Sequence, residues 1–179
     1  LRFLSCRFAL SASLTVLGPE RPLPLSAADR ERVAYHEGGH AILTVVLPNA
    51  DPLHKVTILP RGMALGVTWS LPEERHTYSK DYFEDVICRA MGGRVAEQIV
   101  FGHLNSGAAN DLEQATSIAR RMVREWGMSE AIGPMAWSGH QQVFLGEDLM
   151  TQGREYSDET AKLLDTEIAC DDVPPLRDI

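Results

Sequence analysis

Apolar residues recur at helical spacing in three stretches of the chain, and Ser26, Ser79 and Ser106 suit the N-caps of the helices that these stretches predict. A fourth helix is predicted to start at Ser157-Asp158. The first stretch contains no proline before Pro48, and its apolar stripe runs from Val33 to Leu47. Gly102 follows the second stretch and Gly127 the third, as is typical of helix C-termini. The pattern predicts helices over residues 27–47, 80–101, 106–126 and 157–168.

Two shorter stretches between the first and second helices have the composition of strands. Residues 54–60 and 65–70 are separated by a turn at Arg61-Gly62. Glycines at 62 and 66 leave backbone exposed, so this hairpin either holds an extended peptide along its edge or simply covers the core. Residues 133–153 are loop-like. The predicted fold class is therefore mainly α (α+β), a helical domain with a small β-hairpin.

The first helix carries an H-E-x-x-H pattern on its inward stripe. His36 and His40 stand one turn apart on one helix face, where two imidazoles can bind one Zn²⁺. Glu37 then lies near the metal and can accept a proton from a zinc-bound water. The alternative is a surface helix with two solvated histidines. The adjacent glycines 38 and 39 weaken the helix, which indicates close packing of another backbone or of a substrate.

A mononuclear zinc site needs a third protein ligand, and two carboxylates are candidates. Glu97 lies on the apolar stripe of the second helix, where an unpaired carboxylate would be costly. It could be a zinc ligand, an acceptor for a ligand histidine, or the partner of an arginine such as Arg94. Asp111 lies on the buried side of the third helix and is the second candidate.

Composition narrows the range of functions. A net charge of −8 argues against nucleic-acid binding, and no run of apolar residues approaches the length of a transmembrane helix. Three scattered cysteines predict a reducing compartment without a disulfide framework. Residues 1–17 are apolar with two arginines and could be a targeting peptide, a packed helix or a poorly ordered end. A chain that opens on Leu1 and breaks off soon after its fourth helix is expected to be a fragment.

Taken together, these segments resemble the peptidase domain of the FtsH-type ATP-dependent zinc metalloproteases. The resemblance covers residues 18–168 in several independent blocks that occur in the right order. The matching blocks are residues 18–20, 33–41, 56–62, 64–66, 91–97, 106–112, 119–129, 143–146 and 156–160. It predicts a peptidase domain over 18–170 with its last helices incomplete, an unassigned segment over 1–17 and a tail over 171–179.

The resemblance implies a zinc endopeptidase with one Zn²⁺ per chain. His36, His40 and Asp111 would be the ligands, Glu37 the catalytic base, and Glu97 the acceptor for a ligand histidine. The strand that contains Val56, Thr57, Ile58 and Leu59 would form the substrate-binding edge, together with Gly66. The implied substrates are unfolded or flexible proteins, and the implied assembly is a homo-hexamer associated with a membrane in the full-length protein. The fragment alone is expected to be soluble.

Three departures from the family pattern limit these expectations. Gly38 stands where the family usually has alanine, and the final helices of the domain are largely missing. No G-x-x-x-x-G-K-[ST] phosphate loop occurs, so ATP would act only through an ATPase domain outside this sequence. One alternative is therefore a catalytically impaired fragment that serves only as an assembly module. Another, a zinc hydrolase of small molecules, would leave the edge strand unexplained.

Overall fold

The structure is a computed structural model that describes residues 24–60, 64–137 and 156–169. Within these ranges it contains four α-helices and one antiparallel sheet of two strands, which confirms the mainly α prediction. The helices are α1 (Ala27–Val46), α2 (Lys80–Phe101), α3 (Ala109–Arg124) and α4 (Asp158–Ala169). The strands are β1 (Leu53–Thr57) and β2 (Val67–Ser70). Residues 1–23, 61–63, 138–155 and 170–179 lie outside the described parts of the chain, and with them the predicted turn at Arg61-Gly62 and most of the predicted loop over 133–153.

The predicted caps of the first and second helices are confirmed, and the fourth helix, whose predicted start is Ser157, is capped in the same way. The Ser26 hydroxyl accepts the Asp29 backbone N–H at 3.0 Å, and Ser79 accepts that of Tyr82 at 3.2 Å. Ser157 likewise accepts the N–H of Thr160 at 3.2 Å. These bonds satisfy donors that lack a partner within the helix. At the other end of α2, Gly102 takes a φ of 69°, which is the left-handed conformation typical of a helix stop.

Ser106 is not the cap of the third helix. It opens a 3₁₀ turn, Ser106–Ala108, and α3 begins only at Ala109. The side-chain oxygen of Asn105 accepts the Gly107 N–H at 2.6 Å, and this local bond holds the chain in a turn before the helix starts.

The first strand is shorter than predicted. Strand β1 ends at Thr57, because the Leu59 N–H is donated to the Thr57 hydroxyl at 3.1 Å and Pro60 has no N–H to offer. Strand β2 begins at Val67, and Val56 pairs with Thr68 in the antiparallel register.

The base of the hairpin is fixed by a buried carboxylate. Asp51, 7% exposed, lies 3.7 Å from the Arg75 guanidinium and accepts the Glu73 N–H at 3.5 Å. Arg75 also donates to the carbonyl of Asn49 at 3.4 Å. The ion pair therefore joins the segment before β1 to the segment after β2.

The described residues form two compact units, which divide α2 between Ala90 and Met91. The first unit contains α1, the hairpin, residues 91–101 of α2 and the 3₁₀ turn. There α1 and α2 pack backbone against backbone. A Cβ on Gly39 would overlap the carbonyl of Gly92 and lie 2.8 Å from the Cβ of Ala96. A Cβ on Gly93 would lie 2.5 Å from the His36 ring. The expected close packing at Gly39 is thereby confirmed.

The second unit contains the first half of α2 together with α3 and α4. Its core is built from small and medium apolar side chains, and Cys88 is fully buried within it. Burial and, to a lesser extent, the charge of Asp85 raise the pKa of the Cys88 thiol, as expected of a packed rather than a reactive cysteine. Across the described ranges, none of the helices combines the length and the apolar character that a transmembrane span requires.

Gly38 and Gly39 provide a matched pair of substitutions. Gly39→Ala is expected to lower the free energy of unfolding by about 1–3 kcal/mol, because its methyl group must displace the Gly92 backbone. Gly38→Ala is expected to raise it by about 0.5–1 kcal/mol, because nothing lies within 4 Å of the added atom and alanine favours the helix. Urea unfolding of both variants in metal-free buffer measures the difference. Equal effects of the two substitutions would contradict the close helix crossing.

Candidate metal centre

His36 and His40 present their ring nitrogens to each other on one face of α1. The two Nε2 atoms are 3.1 Å apart, and the rings are nearly perpendicular, at 81°. Two nitrogens bound to one Zn²⁺ at about 2.05 Å, with a tetrahedral angle between the bonds, would be about 3.3 Å apart. The spacing of the two imidazoles therefore fits a shared zinc ion.

Glu97 decides which nitrogen of His36 can bind a metal. Its carboxylate is 4% exposed, and Oε1 lies 2.7 Å from Nδ1 of His36. A carboxylate is an acceptor, so the proton of the imidazole belongs on Nδ1 and the lone pair on Nε2. Nε2 is the atom that faces His40. A histidine ligand held in this way by a carboxylate is typical of zinc sites.

Asn105 supports Glu97 from the segment that follows α2. Its Nδ2 donates to Oε2 of Glu97, while its Oδ1 accepts the Gly107 N–H. Both oxygens of the buried carboxylate therefore have donors, His36 on one and Asn105 on the other. This contact of Asn105 could not be predicted from the sequence, because a single asparagine after a helix forms no pattern that indicates a site.

Glu37 is held against the hairpin. Its side chain is 7% exposed, and the Thr68 hydroxyl lies 2.7 Å from Oε2 and 3.1 Å from the backbone oxygen of the same residue. A Cβ on Gly66 would lie 2.7 Å from both Cγ and Oε1 of Glu37, so this glycine lets the strand approach the carboxylate. Sequence reasoning singled out Gly66 but not Thr68.

The structure thus brings together His36, His40, Glu37, Glu97 and Gly66 in the first unit. Asp111 lies in the first turn of α3 in the second unit and is partly buried. Its role as third ligand stays a prediction. Of the predicted substrate-binding residues on the first strand, Val56 and Thr57 lie on β1, whereas Ile58 and Leu59 follow its end.

The donor set favours zinc over the hard divalent cations. Two neutral imidazole nitrogens suit Zn²⁺, whereas Ca²⁺ and Mg²⁺ prefer oxygen ligands. The buried carboxylate of Glu37, directly after the first histidine in the chain, adds a proton acceptor on the same helix.

Residues 24–170 match the family model described as Peptidase family M41. The chain belongs to this family. It is 62% identical over 145 residues to the ATP-dependent zinc metalloprotease FtsH of Acidimicrobium ferrooxidans, an alignment that covers 80% of the chain and 22% of the relative. It is 50% identical over 163 residues to the FtsH of Nitrosococcus oceani, covering 90% of the chain and 25% of the relative.

A third relative, the ATP-dependent zinc metalloprotease FtsH 3 of Petrotoga mobilis, is 53% identical over 157 residues, which cover 86% of the chain and 24% of the relative. The chain therefore spans about a quarter of the length of these curated relatives. Membership of the M41 family confirms the resemblance to the FtsH-type peptidase domain.

Loss of the hydrogen bonds that hold the His36 ring through Glu97 and Asn105 should weaken zinc binding. Glu97→Gln and Asn105→Ala are each expected to raise the Kd for Zn²⁺ by about 10- to 100-fold, because ligand orientation and basicity depend on such partners. Competition with a chromophoric chelator measures the Kd. Glu113→Gln, on the exposed side of α3, is the matched control and should leave the Kd unchanged. An unchanged Kd in Glu97→Gln would show that the carboxylate serves the fold rather than the metal centre.

Proposed function

We propose that this chain is the zinc-dependent endopeptidase domain of an ATP-dependent protease that hydrolyses peptide bonds of unfolded proteins. In this proposal His36, His40 and Asp111 bind one Zn²⁺ per chain and Glu37 is the catalytic base. The observation that carries the proposal is the distance of 3.1 Å between the Nε2 atoms of His36 and His40. Glu97 holds the His36 proton on Nδ1, and the buried Glu37 carboxylate lies on the same helix as both histidines.

The roles of the side chains follow from this arrangement. A zinc ion, when bound, supplies Lewis acidity that acidifies water and polarises the scissile carbonyl. Glu37 accepts a proton from the attacking water and returns it to the leaving amine. Glu97 keeps the Nε2 lone pair of His36 directed toward the metal position. The low exposure of both carboxylates strengthens their interactions with nearby charge.

The substrate is proposed to bind as an extended chain along the hairpin. Val56 and Leu59 are 40% and 54% exposed, and a strand edge can hold a peptide through backbone hydrogen bonds. Thr57 and Ile58 complete this edge, and Gly66 brings the backbone next to Glu37. An extended peptide requires an unfolded or flexible segment, which accounts for the proposed substrate class.

The remaining properties come from the family resemblance. We propose that the full-length protein is a homo-hexamer associated with a membrane, and that an ATPase domain in another part of it delivers unfolded substrates. Residues 18–170 would be the peptidase domain, with 1–17 and 171–179 outside it. Nucleic acid is not a proposed partner.

Metal content and proteolysis of the full 179-residue chain test the proposal together. The parent is expected to bind one zinc and to cleave a fluorescently labelled, permanently unfolded protein. Glu37→Gln should keep the zinc and lose about 100- to 10,000-fold in kcat, because it removes only the base. Asp111→Asn should lose zinc and activity together. Elemental analysis and fluorescence release provide the measurements.

Asp165→Asn is the control for Asp111→Asn, because Asp165 is exposed on α4 and has no proposed role. A folded parent that binds no zinc and cleaves nothing would contradict the proposal. That result would instead favour the assembly-module alternative.

A further inference from the structure

Strand β2 supplies a side chain that touches Glu37 and that no motif of the sequence indicates. Thr68 lies opposite Val56 in the hairpin, and its hydroxyl lies 2.7 Å from Oε2 of Glu37. We propose that Thr68 is a positioning residue for the catalytic base. Its hydroxyl would hold the Glu37 carboxylate in the orientation that proton transfer requires. The inference rests on the proposed function.

The Thr68 hydroxyl has one proton to donate, and two possible acceptors, both on Glu37, lie within reach of it. The carboxylate oxygen is at 2.7 Å and the backbone oxygen of Glu37 at 3.1 Å. The shorter contact has the length of a strong O–H···O⁻ bond, so the carboxylate is the preferred acceptor. Because both acceptors belong to Glu37, the bond fixes the side chain relative to its own backbone on α1.

A second contact with the same strand limits the motion of Glu37. Gly66 directly precedes strand β2, two residues before Thr68. A Cβ on Gly66 would lie 2.7 Å from Cγ and Oε1 of Glu37, so the Gly66 backbone stands close to one side of the glutamate, while Thr68 bonds Oε2. The glutamate side chain, which otherwise has several rotamers, is thus confined by packing on one side and by a hydrogen bond on the other.

Orientation of the base matters for the rate. Catalysis by a general base depends on the distance and direction to the proton, and small displacements of a reacting group cost large factors in rate. A buried carboxylate also needs donors to offset its loss of hydration. A hydroxyl from a strand meets both requirements, and the strand is held in turn by the β1 pairing and the Asp51–Arg75 ion pair.

The test compares Thr68→Val, which removes the hydroxyl and keeps the shape, with Thr68→Ser, which keeps the hydroxyl. Thr166→Val is the matched control, because Thr166 is exposed on α4 and its hydroxyl bonds the Lys162 carbonyl at 2.8 Å. Each variant of the 179-residue chain is measured for its zinc content, for the urea concentration at the midpoint of unfolding, and for kcat and KM with a fluorogenic peptide. A crystal structure of each variant gives the orientation of the Glu37 carboxylate.

Thr68→Val is expected to lower kcat by about 10- to 100-fold, with zinc content and KM unchanged. Thr68→Ser should keep most of the parental kcat, and Thr166→Val all of it. In a Glu37→Gln background Thr68→Val should have no further effect, because the residue acts through the base. The crystal structures should show the carboxylate displaced in Thr68→Val and in place in Thr68→Ser.

Parental kcat in Thr68→Val would overturn the inference, and so would an equal loss in Thr68→Val and Thr68→Ser. If Thr68→Val does not fold, Thr68→Ala takes its place. A parent without zinc or activity would contradict the proposed function and the catalytic part of the inference with it, and the crystal structures would then test only whether Thr68 orients the Glu37 carboxylate. A carboxylate that keeps its position without the hydroxyl would overturn it.

Discussion

The close crossing of α1 and α2 is the constraint on which the candidate site depends. Gly39 and Gly92 meet backbone to backbone, and Gly93 gives room to the His36 ring. Only at this separation does Glu97, one turn beyond Gly93, reach Nδ1 of His36 at 2.7 Å. A methyl group at the crossing would move the helices apart and lengthen that bond. The glycines, which weaken each helix taken alone, therefore determine where the His36 imidazole and its proposed metal-binding nitrogen lie.

Buried charge links the elements of the first unit. The carboxylates of Glu37 and Glu97 are 7% and 4% exposed, and burial without donors would be costly for either. Glu97 receives donors from α1 and from the segment before the 3₁₀ turn, whereas Glu37 receives a donor from β2. The His36–Glu97 and Thr68–Glu37 bonds join residues 61 and 31 positions apart, so the fold is tied together through the same atoms that the proposed chemistry uses.

The sequence predicted the features that depend on local spacing. The pairing of His36 with His40 follows from helical periodicity, and a buried role for Glu97 follows from its place on an apolar stripe. The partners Thr68 and Asn105 could not be predicted, because the first comes from a strand 31 residues away and the second depends on a local turn. That turn, together with the side-chain bond at Thr57, also explains why the third helix starts later and the first strand ends earlier than predicted.

Two glutamates of identical chemistry receive different roles from their surroundings. Glu97 accepts a ring N–H on one oxygen and an amide N–H on the other, an arrangement that stabilises a fixed acceptor. Glu37 is bonded through Oε2 to the Thr68 hydroxyl, and its Oε1 lies so close to the Gly66 backbone that a Cβ there would be 2.7 Å away. A hydroxyl can rotate, and a residue without a side chain permits close approach of a substrate backbone. In the proposed mechanism this difference would suit Glu97 to orienting a ligand and Glu37 to moving a proton, a distinction that neither residue type nor spacing expresses.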